Sequence, residues 1–455
     1  MVHSFEVAGR FFALDGDSGA VHMLDKMGFD CVRAAEELGF CEGLAAMKEK
    51  YGGEAEALFA ELSALKDEGL LFLNDEALHA QPQEEAPSVV KALCLHVAHD
   101  CNLRCRYCFA GTGAFHGERL LMPLEVGKKA LDLLVARSGG RRALEVDFFG
   151  GEPMMNFGVV KELVAYGREL EGKHGKRIRF TLTTNAYELS DDDIAFLNKE
   201  MANLVLSLDG RQAVHDALRP TKEGGSSYAQ SLENAKKVAK SRNQQGYYVR
   251  GTFTRNNLDF AKDVLALSDA GFEQISVEPV VLRPDSPYSL KEEHLPAILN
   301  EYDRLLEQYL KRRREGKWFS FFHFVVDLEG GPCLKKRLTG CGAGSEYLAV
   351  TPDGEIYPCH QFVGREGFLL GNVFDGKLND EMRASFANNH VLSKEKCAGC
   401  WARLYCSGGC AANAQAFSGS IARPYDMECE MEKKRLECAV AAYCAENVRE
   451  EEASD

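Results

Sequence analysis

The placement of cysteine constrains this chain more than any other feature. Three of its sixteen cysteines, Cys101, Cys105 and Cys108, fall within eight residues, nine more lie between Cys333 and Cys438, and the long stretch between the groups has none. Disulfides suit small secreted domains that cannot build a core. A chain of 455 residues, 45% of them hydrophobic, buries a large core without staples. Its opening, MVHSFEVAG, lacks the basic flank and apolar run of a signal peptide, and no apolar stretch reaches bilayer length. The expectation is therefore a cytoplasmic protein with no membrane partner, whose thiols stay reduced and bind metal. A formal net charge of -15 argues against a polyanion, so nucleic acid is not expected as a partner.

The hydrophobic pattern divides the chain. SFEVAGRFFALDG and GAVHMLD alternate as short strands, and EAEALFAELSALKDEGLLFLND reads as a helix, a glycine stop and a further strand. Residues 1–80 are thus expected to form a winged helix-turn-helix-like domain. The polar, proline-marked AQPQEEAP predicts a linker over 81–90. From 91 to 316 strands and amphipathic helices alternate. The strands are ALCLHV, LEVDFFG, RIRFTLTT, NLVLSLD, YYVRGTF and QISVEPV, and PLEVGKKALDLLVARS and GVVKELVAYGRELE are two of the helices. That order predicts an α/β fold, a partial (β/α)6 TIM-like barrel, with its chemistry in the loops after the strand C-termini. Residues 317–455 form a cysteine-rich C-terminal domain.

CNLRCRYC stands in such a loop. Three thiolates at this spacing wrap one corner of a four-iron cube and leave the fourth iron open, whereas a zinc knuckle needs a fourth ligand that does not follow. The motif, with Tyr107 before its last cysteine, resembles the radical S-adenosylmethionine signature, over roughly Leu93 to Pro279. The resemblance implies that Cys101, Cys105 and Cys108 hold a 4Fe-4S cluster whose open iron chelates S-adenosyl-L-methionine, and that an electron from it generates a 5'-deoxyadenosyl radical. Alone, Gly150, Gly151, Glu152 and Pro153 would be a turn. At the end of the second barrel strand they resemble the family's site for the methionyl ammonium: the glycines admit close approach and the carboxylate pairs with the cation. Ser207 ends the fourth strand, where the ribose is expected, and Arg219 is the candidate clamp for the methionyl carboxylate, although both residue types are ordinary in turns. TTNA, Thr183 to Ala186, has alanine where the family usually has glycine. His96 and His99 read as core or surface histidines, and Lys311 to Glu315, KRRRE, as a solvated helix end.

A second constellation begins at Cys341. Gly354 and Cys359 satisfy GxxxxC; Cys397, Cys400, Cys406 and Cys410 satisfy CxxCxxxxxCxxxC; Cys429 follows. These seven resemble the SPASM pattern, whose members house two auxiliary 4Fe-4S clusters, making three clusters in all. The likeness implies Cys341, Cys359 and Cys410 at the inner auxiliary cluster and Cys397, Cys400, Cys406 and Cys429 at the outer one. Cys333 is the candidate fourth inner ligand; without it that cluster is open to a substrate thiolate. Cys31, Cys41, Cys94, Cys438 and Cys444 read as buried small hydrophobes.

Nearly the whole chain, through HSFEVAGRFFALDGDSGAVHMLD, RRALEVDFFGGEPMMNF and TPDGEIYPCHQFVG, resembles the maturases of SCIFF peptides, ribosomal precursors whose family name denotes six cysteines in about forty-five residues. The resemblance implies thioether crosslinks from cysteine sulfur to an acceptor carbon. Its partners would be a cysteine-rich precursor peptide, whose leader the N-terminal domain holds, and a flavodoxin- or ferredoxin-type reductant. A formylglycine-forming sulfatase maturase shares both motifs, and a non-enzymatic iron-sulfur electron carrier would share the cysteines alone.

Overall fold

The computed structural model describes residues 1–73, 89–328 and 334–447. Three strands open the chain, β1 (Val2–Val7), β2 (Arg10–Asp15) and β3 (Val21–Leu24), in an antiparallel meander in which Val7 faces Arg10 and Leu14 faces Val21. Helices α1 (Lys26–Leu38), α2 (Phe40–Tyr51) and α3 (Glu54–Asp67) follow, the first capped by the Asp25 carboxylate accepting from Gly28 N. The sheet therefore precedes all three helices. The strand expected in LLFLND is absent from residues 70–73, which bend, and its remainder lies outside the described residues, as does most of the expected linker. Cys31 packs into this unit, but Cys41 is exposed, a correction to its expected burial, because it opens α2, which buries only Gly43.

Six parallel strands follow in sequential order: β4 (Ala92–Ala98), β5 (Ala143–Gly150), β6 (Arg177–Thr184), β7 (Met201–Ser207), β8 (Tyr247–Phe253) and β9 (Gln274–Pro279). They are the expected strands within a residue or two. Alternation sorts their side chains. Phe148, Phe180, Leu204 and Val249 are buried on the helix-covered face, and Asp147, Thr181, Asn203, Ser207 and Arg250 point to the interior of the open barrel. Gly167 on the helix Phe157–His174 lets that helix close on Phe180, since a Cβ there would fall 2.5 Å from the ring.

Both sheet edges are prolonged. β10 (Ser320–Phe321) runs parallel to β9. On the other side β11 (Tyr347–Val350) runs parallel to β4, pairing Tyr347 with Ala92 and Val350 with Leu95, and is followed by antiparallel β12 (Glu355–Tyr357) and β13 (Gly371–Asn372). The cysteine-rich region thus begins as an extension of the barrel sheet, and Cys359, two residues beyond β12, is delivered to the barrel mouth. The basic helix end at 311–315 is pinned and not simply solvated: Arg312 pairs with Asp269 at 2.6 Å and Arg313 with Glu446 at 2.8 Å. Among the described residues, no helix is long and apolar enough to cross a membrane.

The N-terminal unit shares its core with the rest. Phe5, Val7, Phe12 and Leu14 belong to the same buried cluster as the barrel strands. Its β1–β2–β3 end presses on the Cys400–Cys406 loop: a Cβ on Gly16 would fall 2.1 Å from the Trp401 carbonyl oxygen, and the His3 ring stacks on Trp401 at 3.9 Å. Arg403 donates to Asp17 at 2.7 Å, their side chains only 2% and 5% exposed. Removing one partner of a buried pair strands the other charge, which costs about 3–5 kcal/mol. Asp17→Ala is expected to lower the urea midpoint accordingly, and an unchanged midpoint would show that the pair does not hold the two regions together.

Candidate active site

The loop after β4 carries Cys101, Cys105 and Cys108 and is clamped from two sides. On one side, Gly151 N donates to Ala98 O at 2.7 Å and Glu152 N to Asp100 O at 2.9 Å. The paired glycines make this contact possible: a Cβ on Gly150, whose φ is +131°, would fall 2.2 Å from Ala98 O, and one on Gly151 would fall 2.2 Å from Asp100 O. Their close approach is thus to the cysteine loop's own backbone. On the other side, Arg104 N donates to Pro220 O and Arg106 N to Leu218 O, both at 2.8 Å.

Cys101, Cys105 and Cys108 line one cavity of about 530 Å³ with Gly150, Gly151, Glu152, Ser207 and Arg219. Pro153 is buried beside it and opens the short turn that follows Glu152. Glu152 is 1% exposed and accepts from Thr184 Oγ1 at 2.7 Å and Asn185 N at 2.8 Å. Burial raises its pKa against the pull of these bonds. The TTNA segment therefore builds the carboxylate's seat. Ala186 takes φ +56°, a conformation glycine adopts more freely, and is held by its N–H donating to Thr184 Oγ1 at 3.0 Å.

A polar relay missed by the sequence reading ties the loop to the barrel. Arg219 Nη1 donates to the Tyr107 phenol at 2.7 Å, and Tyr107 donates to Asp209 at 2.8 Å. Burial pushes the Asp209 carboxyl up to about 6 although Arg219 and Tyr107 pull it back. The position rule that selected Ser207 applies equally to Asp209, two residues on. Asn185, within the TTNA segment that the sequence singled out without a role, sits beside Glu152; its Nδ2 donates to Asn102 Oδ1 at 2.8 Å and reaches Cys101 Sγ at 3.7 Å. His96 and His99 are buried behind the loop, Nδ1 to Nε2 at 3.1 Å.

The later cysteines gather in two places. Cys341, Cys359 and Cys410 line a cavity of about 450 Å³; Cys397, Cys400, Cys406 and Cys429 line another of about 170 Å³. Cys333 lies outside the described residues. Cys94, Cys438 and Cys444 are buried. Burial pushes the thiols of Cys105, Cys410 and Cys429 up to about 11, so a metal must displace protons to bind them. The sulfurs surround spaces: among the described residues no three His, Cys, Asp or Glu side chains gather closely enough to hold a single metal ion. The first and second cavities share a wall of Arg250, Glu278, Val280, His360 and Gln361.

Residues 95–286 match the Radical SAM superfamily and residues 341–401 the SPASM iron-sulfur cluster-binding domain. The chain thus carries a Radical SAM region followed by a SPASM domain, the pairing of an iron-sulfur enzyme that uses S-adenosylmethionine. An uncharacterized protein of Methanocaldococcus jannaschii is 29% identical over 70% of this chain and 96% of its own. The cysteine-type anaerobic sulfatase-maturating enzyme of Clostridium novyi is 23% identical over 70% of this chain and 86% of its own. Among solved structures, anSMEcpe with bound AdoMet shares the fold at a TM-score of 0.64, with 22% identity over 79% of this chain and 96% of its own. Streptococcus suis SuiB bound to S-adenosylmethionine does so at 0.54, with 18% identity over 94% of this chain and 98% of its own, and SuiB is also known bound to its precursor peptide SuiA.

Two outcomes follow from the site's polar groups. Tyr107→Phe removes both hydrogen bonds of the relay and is expected to cost about 1–3 kcal/mol, read as a lower thermal midpoint of the metal-free protein; an unshifted midpoint would mean that Arg219 and Asp209 close directly. Asp147, on the cavity wall with Thr181 Oγ1 donating to it at 2.8 Å, is pushed by burial up to about 6. A carboxyl raised on folding contributes stability below its unfolded pKa of about 3.9 and loses it as pH rises through the folded value. Asp147→Asn should therefore be more stable than the parent at pH 8, with the difference fading as pH falls from about 6 to 4. A pH-independent difference would contradict the assignment.

Proposed function

We propose that this enzyme forms thioether crosslinks, from cysteine sulfur to the carbon of an acceptor residue, in a cysteine-rich ribosomal precursor of the SCIFF class. The observation that carries the reading is the shared wall between the cavity of Cys101, Cys105 and Cys108 and that of Cys341, Cys359 and Cys410. One peptide can occupy both at once, its acceptor residue in the first and its cysteine in the second. The donor chemistry fits. In this reading Cys101, Cys105 and Cys108 hold one 4Fe-4S cluster, Cys341, Cys359 and Cys410 the inner auxiliary cluster, and Cys397, Cys400, Cys406 and Cys429 the outer one.

S-adenosylmethionine, when bound, supplies a 5'-deoxyadenosyl radical that removes hydrogen from the acceptor carbon. The chain's own residues hold it there: Glu152 takes the methionyl ammonium, Arg219 its carboxylate, and Ser207 the ribose. Cys341, Cys359 and Cys410 are one thiolate short of the four that close a four-iron cluster, so a substrate cysteine would complete the set and lose its proton there, and that cluster would take up the electron released when the sulfur bonds the acceptor carbon. Cys333 is the competing donor. β3 pairs with β2 alone among the described residues, and its other edge offers the leader a place as an added strand.

The sulfatase-maturating relative and the Asp147 carboxyl on the cavity wall favour a formylglycine-forming reading as the alternative. Anoxic incubation with each peptide class separates them: the crosslinking reading expects loss of a hydrogen pair per bond and protection of the bonded cysteine from alkylation. An aldehyde on a sulfatase peptide, with no change in the cysteine-rich one, would overturn it. Replacing Cys101, Cys105 and Cys108 by alanine should abolish 5'-deoxyadenosine formation and take iron from about twelve to about eight per chain. Cys333→Ala should leave iron and crosslinking intact; loss of the inner cluster's iron would make Cys333 its fourth ligand.

A further inference from the structure

We propose that Arg250 is the substrate anchor of this enzyme, a guanidinium that takes main-chain carbonyl oxygens of the peptide where it passes between the two cavities. The inference rests on the peptide-crosslinking reading and adds to it the residue that fixes which stretch of peptide spans the gap.

β8 lies inside the sheet, with Ser207 of β7 and Ser276 of β9 beside Arg250. Val249 and Gly251 are buried on the helix-covered face, so alternation sends Arg250 into the barrel. A charge so placed on the interior face normally finds a partner. Arg250 has one ion pair among the described residues, 3.7 Å to Glu278, too long for a hydrogen bond, and its side chain is 56% exposed, to the chamber. Glu278 does not rely on Arg250 alone, since Ser276 donates to that carboxylate at 2.9 Å while His323 faces it at 3.1 Å and Arg435 at 3.9 Å.

The two other arginines with cavity-lining side chains are engaged. Arg219 donates to Tyr107, and Arg435 is paired with Glu432 and bonded to His323. The side chain of Arg250 alone among these three makes no hydrogen bond among the described residues, and its planar fork carries five donors.

The chemistry of the wall selects the ligand. Asp147 and Glu278 line the same cavity as Arg250 and repel a carboxylate brought to it. A neutral carbonyl oxygen meets no such penalty. A peptide threaded here in extended form has carbonyls that no strand or helix satisfies, while Pro279, Val280 and Val281 offer apolar wall and no side-chain donor. One guanidinium can take two carbonyl oxygens and fix the spacing between acceptor residue and cysteine.

The test uses iron-reconstituted enzyme and a synthetic leaderless core peptide of six-cysteine type, so that leader binding does not mask the effect. Arg250→Met and Arg250→Gln are compared with the parent at equal iron content, with Arg250→Lys as the variant that keeps the charge and loses the fork. Core-peptide Kd by fluorescence anisotropy is expected to rise roughly 10- to 100-fold in Arg250→Met, less in Arg250→Lys. Replacing single amide links of the core by esters, which weakens one carbonyl acceptor at a time, should raise Kd at one or two positions in the parent and at none in Arg250→Met. An unchanged Kd in both neutral variants, or ester effects that persist in Arg250→Met, would overturn the anchor. So would a lower thermal midpoint with unaltered Kd, the mark of a residue that merely balances Glu278. If the parent crosslinks no six-cysteine peptide, leader included, the functional reading fails and the anchor with it; a parent that crosslinks beside variants that bind normally sinks the anchor alone.

Discussion

The contact between Gly151 and the backbone at Asp100 governs the rest of the site. Two strand ends, β4 and β5, must release their chains at the same height and cross without side chains between them. Because neither glycine has a Cβ, the cysteine loop lies flat on the end of β5 and its three thiols turn toward the barrel axis. The same crossing brings Glu152 under the loop, where burial would make a lone carboxylate costly. Thr184 and Asn185 offset part of that cost, and they are available because β6 ends at the height of β5. Sheet register thus becomes electrostatics: one glycine pair fixes the thiols, the carboxylate and the donors that keep the carboxylate usable.

An incomplete barrel has an interior that a closed one fills with packed side chains. Here six strands leave it open, and its wall carries Asp147, Ser207, Arg250 and Glu278 in place of layered aliphatics. What shuts the chamber on the β4 side is β11, which adds to the edge that a complete barrel would have used for closure. Cys341 and Cys359, which flank β11 and β12, consequently need no flexible docking to reach the first cavity. They arrive beside the same sheet, which is continuously hydrogen-bonded from β9 to β13.

The barrel strands β5 to β8 were legible because each alternates over seven or eight residues, a local signal, and β4 because it is a near-continuous apolar run. The grouping of the later cysteines was legible through spacing and family likeness, and the thiols do collect as three and four. What escaped depends on distant partners. Arg403 meets Asp17 across 386 residues, and nothing near either residue announces the pair. The run at 311–315 looked solvated because Asp269 and Glu446, which hold two of its arginines, are far away in the chain. Cys41 sits among apolar neighbours yet faces out, since α2 buries little of its surface. Tyr107 was noticed only as a neighbour of Cys108; its role appears once Arg219 and Asp209 fold against it.

These long-range contacts bear on how the three cysteine groups become sites at all. Cys101, Cys105 and Cys108 are set by β4, β5 and the Leu218–Thr221 turn, all within the barrel. Cys359 follows once β11 and β12 add to β4. The Cys397–Cys406 segment has little regular structure of its own, two single-turn helices, and is held from outside by Asp17 and His3 on one side and the helix Asp426–Asn447, which carries Cys429, on the other. The arrangement of its thiols therefore depends on both the N-terminal strands and the Asp426–Asn447 helix having folded, whereas that of Cys101, Cys105 and Cys108 depends on neither. Since burial favours the protonated thiol at Cys105, Cys410 and Cys429, metal binding at the proposed sites would displace protons in all three groups. The barrel site can be complete first and the outermost site last, and it is the N-terminal domain, the part this reading assigns to the leader, that finishes it.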